Sequence, residues 1–238
     1  MVTGAMPRVT DWSPRGIVPL ELWDARVDGR TLFERRSEPT FYESLVRALP
    51  SSAREVALLG GGLDLARAES AFRSSAFELV LAENDPLFAA RAVAEEVGGV
   101  VVDAGQTSVK AATASKAARI ERGGRDRLAS LVVEAIDAVE AVDGAEGDLD
   151  LLLAVPCELE GSGAAITLGP CSYPIEGDAR RLVEAIDRGA RRRLRSVRLV
   201  NDAVMAAHAA RRRHRVERSL LVLTIGHGVG AALVEASP

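Results

Sequence analysis

Four short segments of the 238-residue chain combine residue types that handle phosphate and protons. Asp103-Ala-Gly-Gln-Thr-Ser-Val-Lys110 brings a carboxylate, a glycine, a hydroxyl and an ammonium into eight positions. Gly105 lets backbone approach a phosphate. Thr107 and the N–H groups of the Gly105-Gln106-Thr107 turn can bond its oxygens, and Asp103 can hold Mg²⁺, usually through water. Gly226, Gly228 and Gly230, with His227 between the first two, allow a turn to wrap phosphates in backbone N–H groups; without a ligand this is a glycine-rich hairpin. Asn201-Asp202 stands where an apolar run gives way to an Ala-rich segment. A carboxylate there can accept the proton of an attacking hydroxyl, or cap a helix. Gly60-Gly61-Gly62 ends another apolar run and reads as a strand-to-helix turn.

The elements that must position these residues follow from periodicity and turn signals. Strands are expected over 20–27 and 31–36 around the turn Asp28-Gly29, and then over 55–59 and 77–82. Helices are expected over 37–49, ended by Pro50, over 65–74 with Asp64 as its cap, and from Asn84-Asp85-Pro86 through Val97. A second series opens with a run over 99–103, strands over 108–115 and 116–122, and a helix over 125–142. A loop over 143–148, a strand over 149–155, a helix over 178–195, a strand over 197–200 and a helix over 204–213 follow. Strands over 219–225 and 231–235, joined by a turn over 226–230, end the chain. Residues 98–215 thus read β-β-β-α-β-α-β-α. Joining 216–238 to 18–97 gives nearly the same order, as a duplicated lobe would. The expected organisation is a lead-in over 1–17, one lobe of 18–97 with 216–238, and a second of 98–215.

Composition narrows the class. Hydrophobic residues make up 47% and aromatics only 4%, so the core must be built from Ala, Val and Leu. A net charge of −4 carries no basic signature for nucleic acid. The first residues lack the apolar stretch of a signal peptide, and no apolar run reaches the length of a membrane span. Two cysteines, Cys157 and Cys171, are too few for a disulfide framework or a multi-cysteine zinc site, and a cytoplasmic protein fits.

In this arrangement the segment around Asp103 resembles the first phosphate motif, Asp-x-Gly-x-Thr, of the sugar kinase/actin/Hsp70 (ASKHA) superfamily. Lys110 completes a pattern seen in the ROK sugar kinases. Leu223-Thr-Ile-Gly-His-Gly-Val-Gly-Ala-Ala-Leu-Val234 is similar to the second phosphate motif of glucokinase-like and ROK proteins, with His227 where Thr is common. Val200-Asn201-Asp202-Ala203 resembles their Asn-Asp-Ala signature, in which the Asp is the general base. Leu153-Ala-Val-Pro-Cys157 resembles their Val-Pro-Gly segment, with Cys157 in place of Gly. The loop that follows lines the acceptor pocket in those families, which implies substrate contacts from Pro156, Ser172, Asn201 and Asp202. Val56-Ala-Leu-Leu-Gly-Gly-Gly-Leu63 resembles the adenosine motif, here ahead of the others.

The resemblance covers roughly residues 55–235. It implies an α/β fold of two ribonuclease H-like lobes, circularly permuted, with ATP and Mg²⁺ in a cleft between them; an unrelated N-terminal segment fused to a truncated protein is the rival explanation of the motif order. The implied activity is an ATP-dependent phosphotransferase (kinase) acting on a hydroxyl of a small molecule such as a sugar. Nucleotide contacts would come from Asp103, Gly105, Gln106, Thr107, Lys110, Gly226, His227, Gly228, Gly230 and Gly60 to Gly62, with Mg²⁺ on Asp103. The alternatives are an actin-like nucleotide-binding switch or assembly module, for which Asn84-Asp-Pro-Leu-Phe-Ala-Ala-Arg-Ala92 speaks, and a degenerate non-catalytic member. The expected partners are a small hydroxylated acceptor and a second copy in a homodimer, with neither nucleic acid nor membrane.

Overall fold

Apolar runs of four to eight residues, broken by glycine, proline and acidic turns, build two mixed sheets and the helices that cover them. The computed structural model describes residues 6–22, 24–124, 127–140, 147–161, 165–171, 175 and 178–236. In chain order the elements begin with β1 (Arg8–Asp11), β2 (Ile17–Leu20), β3 (Arg26–Val27), β4 (Arg30–Thr31), α1 (Leu32–Arg35), α2 (Phe41–Ala48), β5 (Glu55–Leu59), α3 (Leu65–Arg73), β6 (Glu78–Glu83) and α4 (Phe88–Val97). They continue with β7 (Val100–Ala104), β8 (Ser108–Ala112), β9 (Ala117–Glu121), α5 (Leu128–Glu140), β10 (Leu149–Val155), β11 (Cys157–Glu160) and β12 (Thr167–Cys171). The last are α6 (Ala179–Gly189), β13 (Leu194–Asn201), α7 (Asp202–Arg213), β14 (Leu220–Ile225) and β15 (Val229–Val234). The α/β class read from the sequence is the class observed.

The chain divides into two compact units, Met1–Ser13 with Ala90–Asp202 and Pro14–Ala89 with Ala203–Pro238. The first unit holds the six-stranded sheet β1-β13-β10-β7-β8-β9. Its β7, β8 and β9 form an antiparallel meander, while β10 and β13 add parallel strands beside β7. Every second residue of the central strands (Val100, Val102 and Ala104; Leu151, Leu153 and Val155; Val197 and Leu199) joins Leu131, Ile136, Leu182 and Ile186 of α5 and α6 in one core. Strand alternation supplies one apolar face, and the 3.6-residue period of each helix supplies the matching stripe.

The second unit holds the five-stranded sheet β2-β15-β14-β5-β6. Its β14, β15 and β2 are antiparallel, and β5 and β6 are parallel to β14. Val56, Leu58, Leu221, Leu223 and Ile225 face Phe41, Leu45, Leu63 and Phe72 on and beside α2 and α3. Counted from β7 in one unit and from β14 in the other, five strands of each sheet have the order third-second-first-fourth-fifth, and β1 adds a sixth at the β13 edge of the first.

Several local signals act as read. Asp28 (φ 52) and Gly29 (φ 77) turn β3 into β4. Asp64 caps α3 by accepting from the Arg67 N–H at 3.2 Å, and the structure adds a cap the sequence reading does not name, Asp178 on α6, which accepts from the Arg181 N–H at 2.8 Å. Other expectations are overturned. Part of the lead-in over 1–17 is strand: β1 pairs in parallel with the free edge of β13, and such a short polar strand is specified by the edge and not by its own pattern. The strand expected over 31–36 is the helix α1. Thr31 accepts from the Glu34 N–H and Glu34 accepts from the Thr31 N–H, a capping box that outweighs the β-tendency of Thr, Leu and Phe. The helix expected over 178–195 ends at Gly189, and its last residues belong to β13. The chain passes between the units at 89/90, within α4, and at 202/203, at the start of α7. Among the described residues no helix is long and apolar enough to cross a membrane.

The cysteine reading is also corrected. Cys157 and Cys171 lie opposite one another in the β11·β12 hairpin and are disulfide-bonded. The pairing register decides this, and a count of two cysteines carries no trace of it. The bond closes a loop with a sequence separation of 14, for which loop-closure entropy predicts about 3 kcal/mol of stabilisation. Urea unfolding of the Cys157→Ser/Cys171→Ser variant is expected to show a loss of that order, and dithiothreitol should reproduce it in the wild type. Superimposable curves would show that the bond contributes nothing.

The β10–β13 register is anchored at the amino end. The pairing shifts between Leu149 and Asp150, which leaves Arg195 as an extra residue on β13. Its guanidinium clasps Asp150, whose carboxylate also accepts from the Ser196 hydroxyl at 2.6 Å. The Arg195 and Ser196 hydrogen bonds hold the Asp150 carboxyl at about 2, below its ordinary 3.8. A depressed carboxylate stabilises the fold above its unfolded value, and that contribution fades as pH falls through the folded one. Asp150→Asn is therefore expected to flatten the acid limb of the stability profile between about pH 4 and 2, read by denaturant titration at each pH. An unchanged limb would mean that the clasp is too solvated to matter.

Candidate functional site

In the first unit the candidate residues gather at the carboxyl ends of three neighbouring parallel strands, where α/β sheets bind ligands. Lys110 faces Asp103 across β8 and β7, Asp103 faces Ala154 on β10, and Ala154 faces Val200 on β13. One step further along, Val155 faces Asn201. This row therefore carries Lys110 and Asp103 beside Ala154 and Val200, with Asn201 one position and Pro156 two positions beyond it at the same end of the sheet.

Lys110 Nζ donates to Asp103 Oδ2 at 2.6 Å, and the two side chains are only 17% and 15% exposed. Partial burial strengthens such a charge-assisted bond and fixes both groups at the turn. Gly105 belongs there for a steric reason: a Cβ would stand 2.9 Å from the Ser108 carbonyl oxygen and 3.2 Å from Lys110 Nζ. Gln106 is half-buried and Thr107 exposed, and the Thr107 carbonyl accepts from the Arg122 N–H at 2.9 Å. At the far side, Asn201 Nδ2 donates to the carbonyl of Cys157 at 3.0 Å. That bond orients the amide, and the disulfide holds the Cys157 backbone against β12. Asp202 is half-buried and is the first residue of α7, so its charge lies at the positive end of the helix dipole. Ser172 lies outside the described residues.

In the second unit both glycine segments lie at the carboxyl ends of adjacent parallel strands and touch. The Gly62 N–H donates to the Ile225 carbonyl at 3.1 Å. A Cβ on Gly60, whose φ is +123°, would meet that carbonyl oxygen at 2.5 Å, and one on Gly62 would meet it at 3.0 Å. Gly61 rests on Pro86, and a Cβ on Gly230 would collide with Thr224 Oγ1 at 2.5 Å. Gly226 and Gly228 differ: their N–H and C=O close the turn at 3.0 Å, yet a Cβ on either would enter open space.

Two neighbours of this turn escaped the sequence reading. Arg36 Nη1 donates to the Gly226 carbonyl at 3.2 Å, and the Phe33 and His227 rings stand 5.8 Å apart. The signal that could have found them is the Thr31–Glu34 capping box, which turns this segment into a helix presenting both side chains. No group of three or more His, Cys, Asp or Glu side chains converges as a metal cage among the described residues. One carboxylate, Asp103, remains for a Mg²⁺ whose other ligands would be phosphate oxygens and water, a division common for this ion.

Compared with known proteins, the chain matches no protein-family model and no curated sequence.

The glycines separate by cause, and substitution can test this. Gly60→Ala and Gly230→Ala should each cost about 1–3 kcal/mol through strain and overpacking. Gly226→Ala and Gly228→Ala should leave the urea midpoint unchanged, because the space beside them is open. Destabilisation by the second pair would give these glycines a structural reason.

Proposed function

We propose that the protein is an ATP-dependent phosphotransferase (kinase) acting on a hydroxyl of a small molecule such as a sugar, built as two ribonuclease H-like lobes with the strand order of the second permuted across the chain termini. The observation that carries the reading is the shared strand order of the two sheets, each with its glycine turns and polar residues at the carboxyl ends of its parallel strands. The open space beside Gly226 and Gly228 adds to it, since glycine is unexplained there by packing.

In this reading the turns at Gly105 to Thr107 and Gly226 to Gly228 hold phosphates through N–H groups, and Gly60 to Gly62 lie against the nucleoside. Asp103 and Lys110 set the charge at the first turn. Mg²⁺, when bound, neutralises the phosphate oxygens during transfer. Asn201 orients the acceptor. Asp202 takes the hydroxyl proton as the new O–P bond forms and the bond to the ADP leaving group breaks. The site of action is the cytoplasm, where ATP is supplied, although the Cys157–Cys171 bond is of a kind rare in that compartment.

Calorimetric titration of Mg²⁺–ATP tests this. The wild type is expected to saturate at millimolar ATP or below, and Asp103→Ala to bind at least about tenfold more weakly, the equivalent of ~1.4 kcal/mol. In a screen of hydroxylated acceptors, Asp202→Asn should abolish ADP release while still binding ATP. No binding at millimolar ATP would overturn the nucleotide reading altogether.

A further inference from the structure

The segment before α2 carries four arginines, Arg26, Arg30, Arg35 and Arg36. Arg30 pairs with Glu38, Arg35 pairs with Asp28 and Glu38, and Arg26 donates to the Gly29 carbonyl within its own hairpin at 2.8 Å. Arg36 has no ion pair with a carboxylate among the described residues, and its bond reaches a distant part of the chain. Its guanidinium bonds the Gly226 carbonyl at 3.2 Å and lies 5.9 Å from the centre of the Phe33 ring. The same ring meets His227 at 5.8 Å with a tilt of 52°, and Phe33 stays 49% exposed. An unmatched guanidinium and an imidazole thus flank a turn whose two glycines face open space.

We propose that Arg36 and His227 form the anion grip of this turn and bind the terminal phosphates of a polyphosphate ligand, with Phe33 as the plate that holds both. The chemistry favours phosphate. A guanidinium presents a planar fork that matches two phosphate oxygens, and the imidazole offers a ring N–H. The cation–π contact and the bond to the Gly226 carbonyl hold Arg36 before any ligand arrives, so less side-chain freedom is lost on binding. The imidazole also supplies the donor that a threonine hydroxyl would otherwise provide. The proposal rests on the nucleotide reading for the identity of the ligand, but not for its charge.

The test is calorimetry with inorganic tripolyphosphate, Mg²⁺–ATP and adenosine on wild type, Arg36→Gln, Arg36→Lys, Phe33→Leu and His227→Thr. Arg36→Gln is expected to weaken tripolyphosphate and Mg²⁺–ATP alike by about tenfold or more, with adenosine unaffected and the salt dependence of binding reduced. Arg36→Lys should recover part of the loss, and Phe33→Leu should lose less than Arg36→Gln. His227→Thr should keep binding, because the hydroxyl replaces the ring N–H. Equal tripolyphosphate affinity in wild type and Arg36→Gln overturns the grip. If Mg²⁺–ATP still binds both proteins, the nucleotide reading survives that result. Loss of adenosine but not tripolyphosphate binding in Arg36→Gln also overturns the grip, since it assigns Arg36 to the base. Conversely, a wild type that binds tripolyphosphate but not nucleotide, with loss in Arg36→Gln, upholds the grip and removes the nucleotide.

Discussion

Strand register is the constraint on which the first unit depends. Asp103, Pro156 and Asn201 come from separate segments of the chain, and they reach the same end of the sheet only because β7, β10 and β13 pair as they do. A slip of one residue would turn every side chain of a strand to the opposite face. The bulge at Arg195 and its clasp on Asp150 pin that register at the amino end. The bond from Asn201 to the Cys157 carbonyl, backed by the disulfide, pins it at the carboxyl end. The apolar core between these ends has no means of choosing among registers that keep the same face buried. The polar contacts at both ends make that choice.

The second unit depends on close backbone approach. The end of β14 is packed so tightly against the turn after β5 that the Ile225 carbonyl touches both Gly60 and Gly62. Any side chain at Gly60 would push the two strand ends apart. A glycine-rich pattern is therefore no measure of ligand contact by itself, because Gly60, Gly61, Gly62, Gly105 and Gly230 all have packing reasons. Gly226 and Gly228 carry the functional weight because the fold leaves them unexplained.

Charge is distributed with the same economy. Arg26, Arg30 and Arg35 of the segment before α2 are bonded to nearby carboxylates and carbonyls, which holds a short, irregular stretch of chain in place. Arg36 contributes to no such network and stands at the glycine turn. A surface guanidinium is ordinarily solvated and uninformative. Here its backbone bond and its aromatic neighbour give it a fixed position beside an open turn.

Much of the local structure was legible in the sequence. The buried strands β5, β7, β10 and β14 read as apolar runs, Asp64 as a helix cap, and Asp28-Gly29 as a hairpin turn, since each is encoded within a few residues. The Thr31–Glu34 capping box was equally local, but it was hidden under β-favouring residues. Pairing partners were not legible: β1 on the edge of β13, Cys157 opposite Cys171, and Arg36 at a carbonyl 190 positions away depend on the path of the whole chain. The sequence alone determined which residues can hold phosphate or accept a proton, because that follows from side-chain chemistry. Only the tertiary structure decided which of them meet and which glycines packing demands, because register and backbone approach arise from contacts that no local pattern specifies.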